Sequence, residues 1–343
     1  MAMTRAGEPR RRRVLVTGAT GFVGRALLPV LHESGWDVTA ALRRPPEAGA
    51  SLAAPARTVV LGEFGPETDW PAALHPPDGG GGAAPVDAVV HLAARVHVMR
   101  EADPDPDAAF NRANAEATAR LAVEAARAGV SRFVYLSSVK VNGERTAPGR
   151  PFREDDPPMP EDAYARSKLA AETALARLAG ETAGMSITVL RPPLIYGPAV
   201  RGNFLSLIRL AGRGIPLPLG GVEDNRRSLL AVGNLADAIR RVLDTADPPG
   251  FGGYLLRDGE DLSTAALLRR LAAALGRPAR LVPVPPAILA AALRALGRGG
   301  MAERLLGSLQ IDDSRFRETF AWTPPLTVDE GLRQAAAWFR SSR

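Results

Sequence analysis

The sequence has no cysteine among its 343 residues, which excludes disulfide scaffolds, thiolate metal sites and cysteine nucleophiles. Histidine is also scarce, and the few that occur stand in no HExxH or HxxxH arrangement, so a zinc hydrolase is not expected. These histidines are His32, His75, His91 and His97. No apolar run reaches ~18 residues, and the N-terminus lacks the apolar core of a secretory signal. We therefore expect a cytoplasmic protein with no metal site and no membrane span.

Aromatic residues make up only 5% of the chain, too few to alternate with basic residues along a nucleic-acid-binding face. The net charge of +6 is also uneven, because residues 1–13 carry +4 and the remaining 330 residues only +2. We interpret residues 1–12 as a disordered basic leader. Nucleic acid is therefore not an expected partner.

Lysine is nearly absent as well. Of the 43 basic residues only Lys140 and Lys168 are lysine, and the other 41 are arginine. The planar fork of arginine cannot replace a compact ammonium at every site. Both lysines therefore need a chemical explanation.

Short apolar segments alternate with segments of helical periodicity through the first 190 residues. The predicted strands are 13–17, 37–42, 58–61, 86–92, 132–137 and 186–190, and the predicted helices are 25–33, 107–128 and 161–183. Such alternation indicates a parallel sheet with helices on both faces. The sequence therefore predicts an α/β fold, a Rossmann-type doubly wound parallel sheet with a smaller, mainly helical C-terminal substrate domain.

The pattern changes after residue 190. Loops become longer and helices outnumber strands, with predicted helices at 203–213, 234–246, 263–275, 286–296 and 329–340. We assign 13–190 to an NAD(P)-binding domain and 191–343 to a substrate domain with some segments returning to the sheet. The glycine- and proline-rich stretch 75–85 is predicted to be a flexible insertion.

A glycine motif at the first strand-to-helix turn predicts the cofactor site. Gly18, Gly21 and Gly24 have the spacing that lets a backbone approach a pyrophosphate and directs a helix N-terminus at it. Phe22 and Val23, between the glycines, are expected to share the contact. A tight turn without a ligand is the alternative interpretation.

The ends of the next strands predict the cofactor type. The second strand ends at Leu42, where NAD-binding proteins place a carboxylate, and Arg43 and Arg44 follow. Arginine suits a 2′-phosphate, so we expect NAD(P) with a preference for NADP. Arg43 is expected to bind that phosphate. A solvated loop is the alternative for both arginines.

Residues after the third and fourth strands complete the expected cofactor contacts. Glu63 and Phe64 lie where an adenine would be held, and Leu92, Ala93 and Ala94 form a wall of small residues for a flat dinucleotide. His91, at the end of the fourth strand, is interpreted as a core histidine.

Tyr164 and Lys168 lie four residues apart on a predicted helix, and therefore on one face about 6 Å apart. A neighbouring ammonium and an oxidised nicotinamide are expected to lower the pKa of the phenol, which makes Tyr164 a candidate acid–base. Lys168 is also expected to reach the nicotinamide ribose. Ser137 and Ser138 end the fifth strand, at the sheet edge where ligands bind.

The chain resembles the extended short-chain dehydrogenases/reductases, the NAD-dependent epimerase/dehydratase family, over about residues 13–340. The motifs that carry the resemblance are Thr17-Gly-Ala-Thr-Gly-Phe-Val-Gly24, His91-Leu-Ala-Ala94, Phe133-Val-Tyr-Leu-Ser-Ser138, Tyr164-x-x-x-Lys168 and Arg191-Pro-Pro-Leu-Ile-Tyr-Gly-Pro198. The resemblance implies a catalytic triad of Ser138, Tyr164 and Lys168. It adds Pro192 to the cofactor contacts and gives Asn114 a supporting role.

The resemblance also implies substrate-binding residues. Nucleotide-sugar members hold their nucleotide with an asparagine before a helix and an arginine before a strand, and Asn203 and Arg227 match those places. Asn203 as a helix cap and Arg226 as the ligand are the alternatives. Lys140 is expected to orient Ser138 or to contact substrate, a surface lysine being the alternative. The Arg-x-x-Asp clamp of the 4-epimerases is matched only loosely, by residues 298–303.

Local chemistry narrows the subtype that the resemblance implies. Val139 and Lys140 follow Ser138 where dehydratases have an acidic pair, and no cysteine is present for epimerisation at C3 and C5. The expected function is an NAD(P)-dependent oxidoreductase at C4 of a UDP-(N-acetyl)hexosamine, as 4-epimerase or 4-keto-sugar reductase, acting as a homodimer in bacterial surface-polysaccharide synthesis. A reductase of a non-nucleotide carbonyl and a non-catalytic NADP sensor remain open.

Overall fold

The computed structural model describes residues 11–46, 51–77, 84–96, 104–147 and 149–342. The predicted leader, except Arg11 and Arg12, and residues 78–83 of the predicted insertion 75–85 lie outside these ranges. Among the described residues, no helix is both long and apolar enough to cross a membrane.

The strands occur where short apolar segments were predicted, with further short strands late in the chain. They are β1 (Arg13–Thr17), β2 (Asp37–Leu42), β3 (Arg57–Val60), β4 (Ala88–His91), β5 (Arg132–Leu136), β6 (Ser186–Arg191), β7 (Leu194–Tyr196), β8 (Arg227–Ala231), β9 (Phe251–Leu255) and β10 (Asp261–Leu262).

The helices follow the apolar periodicity of the sequence. They are α1 (Phe22–Glu33), α2 (Pro71–Leu74), α3 (Pro106–Phe110), α4 (Ala117–Arg127), α5 (Ala163–Glu181), α6 (Gly202–Gly212), α7 (Val232–Asp244), α8 (Thr264–Ala274), α9 (Pro286–Ala295), α10 (Gly299–Leu306), α11 (Ser314–Phe320) and α12 (Val328–Ser341).

A seven-stranded sheet has the order β3-β2-β1-β4-β5-β6-β9. β1 pairs in parallel with β2 and with β4, so the chain order reverses between β1 and β4. In open α/β sheets, ligands bind outside the carboxyl ends of the strands at such a reversal. The predicted Rossmann-type α/β fold is confirmed.

The predicted helix 107–128 is interrupted in the structure. Residues Asn111–Glu116 form a π-helical segment between α3 and α4. The buried Asn114 lies in it and binds the Arg95 backbone twice, accepting from its N–H at 2.7 Å and donating to its carbonyl at 3.0 Å. The π segment places this amide against the loop after β4, which agrees with the predicted supporting role of Asn114.

Two compact units make up the chain, and they alternate along the sequence. The first comprises residues 1–135, 171–188 and 247–251, and the second comprises residues 136–170, 189–246 and 252–343. This division does not follow the single boundary near residue 190 that the sequence predicts. Residues 136–170 belong to the second unit because they pair with its later segments, as in the bridge between Phe152 and Ile311.

The second unit contains a three-stranded sheet of order β10-β8-β7. A buried polar network fixes the end of β8: the carboxylate of Asp258 accepts from the Ala231 N–H at 2.8 Å and the Tyr196 hydroxyl at 2.8 Å. The Asn234 amide also donates to Asp258, at 2.7 Å. Because these buried groups satisfy one another, they hold β8 in a defined place.

Candidate active site

The first unit places the glycine motif between β1 and α1. Gly18 has a φ of +71°, and a Cβ there would lie 2.8 Å from the Ala93 nitrogen. A Cβ on Gly24 would lie 2.4 Å from the Gly18 carbonyl oxygen. Only glycine fits these positions, so the turn lies directly against the backbone after β4.

The N-terminus of α1 carries the features of an anion site. Gly21 is its N-cap and forms no side-chain cap, and the first turn contains no acidic residue. Backbone N–H groups at such a helix start attract a phosphate, and the helix dipole adds to the attraction. The residues around this turn therefore fit the pyrophosphate of a dinucleotide cofactor.

His91 has a structural role, as interpreted from the sequence. It is buried, and its ring nitrogens lie 2.7 Å from the Thr17 hydroxyl and 3.0 Å from the Thr118 hydroxyl. Thr17 also accepts from the Ala93 N–H at 3.1 Å. The histidine thus ties β1 and β4 to α4 and holds Leu92–Ala94 beside the glycine turn.

The structure brings Arg43 and Glu63 together at the ends of β2 and β3. The Arg43 Nη1 atom lies 3.2 Å from the Glu63 Oε2 atom, and both side chains are exposed. The Phe64 ring packs against the Trp70 ring, with ring centroids 5.1 Å apart. Glu63 therefore offsets part of the charge that the sequence analysis assigned to a 2′-phosphate.

The second unit holds Ser138 at the start of a short turn. β5 ends at Leu136, earlier than predicted, and Ser138 caps the 3₁₀ turn Val139–Val141. Its Oγ atom accepts from the backbone N–H of Lys140 at 3.3 Å. Beside it, the Val139 N–H donates to the Pro192 carbonyl at 3.0 Å. Backbone contacts thus orient the serine hydroxyl and place Pro192 next to its turn.

Tyr164 and Lys168 lie one turn apart near the start of α5, as their spacing predicts. The Lys168 ammonium is 5.8 Å from the Tyr164 ring centroid and donates to the Leu136 carbonyl at 2.8 Å. Lys168 is only 2% exposed. This bond links the helix to the end of β5, directly before Ser138.

The sequence analysis expects a lowered pKa for Tyr164, but in the protein without cofactor the pKa is raised. Burial raises the pKa of the phenol well above its usual value, and the charge of Asp162 raises it further. Tyr164 is therefore protonated at neutral pH in the protein without cofactor, even with Lys168 one turn away, and this state is suited to giving a proton.

Lys140 is bound by two carboxylates rather than directed at Ser138. Its ammonium donates to Glu144 at 2.6 Å and to Asp162 at 2.7 Å. Asp162 also caps α5, because its other oxygen accepts from the Ala165 N–H at 2.7 Å. Sequence analysis missed Asp162, although an acidic residue directly before a helical pattern is a known cap signal.

Arg227 and Arg226 differ sharply in environment. Arg226 is exposed and its guanidinium donates to carbonyls of its own loop, those of Glu223 and Asn225. Arg227 donates to the Gly307 carbonyl at 3.1 Å. Burial lowers the pKa of Arg227, with Glu144 opposing the change and Arg304 adding to it. Arg304, on α10, is thus a second cation whose charge acts on Arg227 and that sequence analysis missed.

Asn203 is exposed on the first turn of α6. The N-cap of that helix is Arg201, so the alternative interpretation of Asn203 as the cap is wrong. An extended backbone at Arg201, followed by Gly202 at a φ of +63°, starts the helix one residue before the predicted position.

Comparison with known proteins decides the family. Residues 14–251 match the family described as the NAD dependent epimerase/dehydratase family. The chain belongs to this family. It is therefore an NAD-dependent enzyme of the extended short-chain dehydrogenase/reductase type, as the motifs predict.

Several relatives span nearly the whole chain. A UDP-glucose 4-epimerase of Vibrio cholerae is 38% identical over 96% of this chain and 95% of its own length. A dTDP-4-dehydro-6-deoxy-D-allose reductase of a Streptomyces species is 30% identical over 96% of each chain. The solved structure of MoeE5 in complex with UDP-glucuronic acid and NAD is 27% identical, with a TM-score of 0.70 over 96% of this chain and 100% of the other.

Proposed function

We propose that this epimerase/dehydratase family member transfers a hydride at C4 of a UDP-sugar, a UDP-(N-acetyl)hexosamine, as a 4-epimerase or 4-keto-sugar reductase. The observation that supports the substrate class is Arg227, a cation whose pKa is lowered chiefly by burial and further by the charge of Arg304, in the unit that also holds Ser138, Tyr164 and Lys168. The charge of Arg304 acts against that of Arg227, with Glu144 opposing it, and a diphosphate would supply further negative charge that favours both guanidinium groups. An apolar carbonyl substrate gives no reason for the pair.

Tyr164, Ser138 and Lys168 have different roles in the proposed reaction. NAD(P), when bound, supplies or accepts the hydride. In the reducing direction the protonated Tyr164 gives its proton to the C4 oxygen while the Ser138 hydroxyl donates a hydrogen bond to the same oxygen. Lys168 holds Tyr164's helix to the end of β5 and contributes the positive charge that favours the phenolate when the proton leaves.

We infer that the glycine turn of the first unit binds the cofactor pyrophosphate, with Gly18, Gly21, Phe22, Val23 and Gly24 around it. Leu92–Ala94, Glu63 and Phe64 then line the nucleotide. The absence of a carboxylate at Leu42 and the presence of Arg43 support a preference for NADP. The resemblance to the family also supports a homodimer and a role in bacterial surface-polysaccharide synthesis, which belong to the same proposal.

Binding of UDP, measured by calorimetry, tests the substrate class. We expect Arg227→Ala and Arg304→Ala to weaken UDP binding by roughly 10- to 100-fold each, since each removes a charge-assisted contact to phosphate. Arg226→Ala is the matched control, because its guanidinium is occupied by its own loop. It should change UDP affinity less than about threefold, and cofactor affinity should be the same in all three variants.

Two results would overturn this assignment. One is a wild-type protein that does not bind UDP at millimolar concentration. The other is an Arg227→Ala variant that binds UDP as tightly as the wild type. Either result would favour a small carbonyl substrate without a nucleotide.

A further inference from the structure

The second surviving lysine, Lys140, lies at the centre of a cluster of charges in the second unit. Its ammonium donates to both Glu144 and Asp162, at 2.6 Å and 2.7 Å. The side chains of Lys140 and Asp162 are 34% and 29% exposed, so water and salt screen this pair less than a surface pair. The arrangement also explains why lysine survives here: a compact ammonium can lie between two carboxylates that converge from different segments.

Lys140 joins the two segments that carry the candidate acid–base groups. Its own backbone N–H donates to the Ser138 hydroxyl oxygen, and its side chain reaches the cap of the helix that bears Tyr164. Ser138 and Tyr164 come from separate parts of the sequence, 26 positions apart. One residue therefore contacts the serine turn through its backbone and the tyrosine helix through its ammonium.

Asp162 is the reason that a cation is needed at this place. It lies two residues before Tyr164, and its charge opposes ionisation of the phenol. Removing the Asp162 carboxylate would destabilise the protein, because it also caps α5 by accepting from the Ala165 N–H. Loss of such a cap costs about 1 kcal/mol. A positive charge held on Asp162 opposes its effect on the phenol while the cap is kept.

We propose that Lys140 is a positioning residue for the reaction: it locks the Ser138 turn to the first turn of α5 and opposes the charge of Asp162 beside Tyr164. The inference rests on the proposed function for its catalytic meaning. Of the two roles that the sequence analysis expected for Lys140, it keeps the orientation of Ser138 and assigns no contact with substrate.

Other charged groups surround the same region and must be included in any pH profile. Glu144 faces Lys140 and also lies near Arg227 of β8. Lys168 faces Tyr164 from the next turn of α5. An exposed chain of ion pairs lies at the same end of the helix, and its members are Arg145, Glu161 and Glu303.

The ionisation of Tyr164 in the protein saturated with NAD⁺ tests the proposal without any substrate. The chain has only four tyrosines, so labelling them with ¹³C at Cζ gives four NMR signals. The signal that is absent from the Tyr164→Phe variant is the signal of Tyr164. We expect Lys140→Met to move the titration of Tyr164 to higher pH by about half a pH unit or more, because Asp162 is left uncompensated. Lys140→Arg keeps the charge and should leave the titration close to that of the wild type.

Asp162→Asn provides the decisive comparison, because asparagine still caps the helix. This variant should move the Tyr164 titration to lower pH, and the double variant Lys140→Met/Asp162→Asn should return it toward the wild-type value. Arg269→Met is the control, since it removes an exposed ion pair with Glu223 in the same unit, and it should change nothing.

In the oxidising direction with UDP-glucose as probe, the rising limb of the kcat/KM profile should shift in step with the NMR titration. The proposal is overturned if Lys140→Met leaves the titration unchanged, if Asp162→Asn does not reverse its effect, or if Tyr164 of the wild type does not ionise at any accessible pH. Inactivity toward every UDP-sugar with the predicted titration order would instead overturn the proposed function alone.

Discussion

At the residue scale, the proposed preference for NADP rests on Arg43, which pairs with Glu63. Both side chains of the pair are exposed, and the Arg43 Nη1 and Glu63 Oε2 atoms lie 3.2 Å apart. The pair therefore contributes little to stability and can rearrange when a phosphate binds. A 2′-phosphate would compete with Glu63 for the guanidinium. Glu63 is therefore expected to reduce, but not to abolish, the selectivity that Arg43 gives.

Two substitutions separate these contributions. Arg43→Ala should weaken NADPH binding by about 1.5–3 kcal/mol, the size of a charge-assisted hydrogen bond, and leave NADH binding unchanged. Glu63→Gln should do the opposite and raise the NADPH-to-NADH affinity ratio several-fold, because the 2′-phosphate no longer competes with a carboxylate for Arg43. Fluorescence titration of the two reduced cofactors measures both effects. A native preference for NADH, or equal losses for both cofactors in Arg43→Ala, would remove Arg43 from the site.

The sequence predicts single residues well where one local rule decides the outcome. Tyr164 and Lys168 share a face because they lie four apart on a helix, and His91 is buried because it ends an apolar strand. Sequence reasoning singles out Lys140 and Arg227 but misses the groups that surround them, which are Asp162, Glu144 and Arg304. Such partners depend on which distant segments converge, and spacing in the sequence does not encode that.

At the element scale, the fit of α1 against its glycine turn is what prepares the anion site. Gly24 lies inside the first turn of the helix, where a Cβ would meet the Gly18 carbonyl at 2.4 Å and the Ala19 Cα at 2.6 Å. These neighbours are backbone atoms, which cannot yield as a flexible side chain can. Any larger residue must therefore push the helix away from the turn.

Gly24→Ala should lower the free energy of unfolding by about 1–3 kcal/mol, the usual range for overpacking, and weaken both NADH and NADPH. Gly180→Ala is the matched control, because Gly180 is also helical and its Cβ would meet nothing within 4 Å. It should be neutral or stabilise by up to about 1 kcal/mol. Denaturant unfolding and cofactor titration measure both quantities. Equal behaviour of the two variants would show that the tight fit at Gly24 is unimportant.

Elements with a strong period are the ones that the sequence predicts. The bounds of β1 and β2 agree with the prediction, and those of α8 and α12 differ from it by one residue at each end. The sequence analysis missed α10 because the helix is short and begins with Gly299 and Gly300, which are poor helix formers. That omission also hid Arg304 from the sequence analysis.

At the scale of the whole molecule, the chain passes between its compact units more than once. The division falls inside α5, whose first residues, with Tyr164 and Lys168, belong to the second unit and whose later residues, from Ala171 on, belong to the first. A change of composition along the chain can mark a linker, but it cannot show a helix shared by two units. This is why the sequence predicts the fold class correctly and the boundary near residue 190 poorly.

Membership of the family, the glycine turn and the tyrosine–lysine pair together lead to one central claim, which is hydride transfer at C4 of a UDP-sugar. UDP-glucose and UDP-N-acetylglucosamine carrying deuterium at C4 test it most directly. Each is incubated with the protein and with NAD⁺ or NADP⁺, and the deuterium content of the nicotinamide and of sugar C4 is then measured by mass spectrometry and NMR.

For at least one of these sugars, we predict that deuterium reaches the nicotinamide ring. In an epimerase it returns to C4 of the product, and in a reductase running in reverse it stays on the cofactor. Tyr164→Phe should slow the transfer by at least about 100-fold, the scale of positioned acid–base catalysis. A wild type that places no deuterium on the nicotinamide and forms no C4 epimer of either sugar, or transfer at an undiminished rate in Tyr164→Phe, would contradict the account.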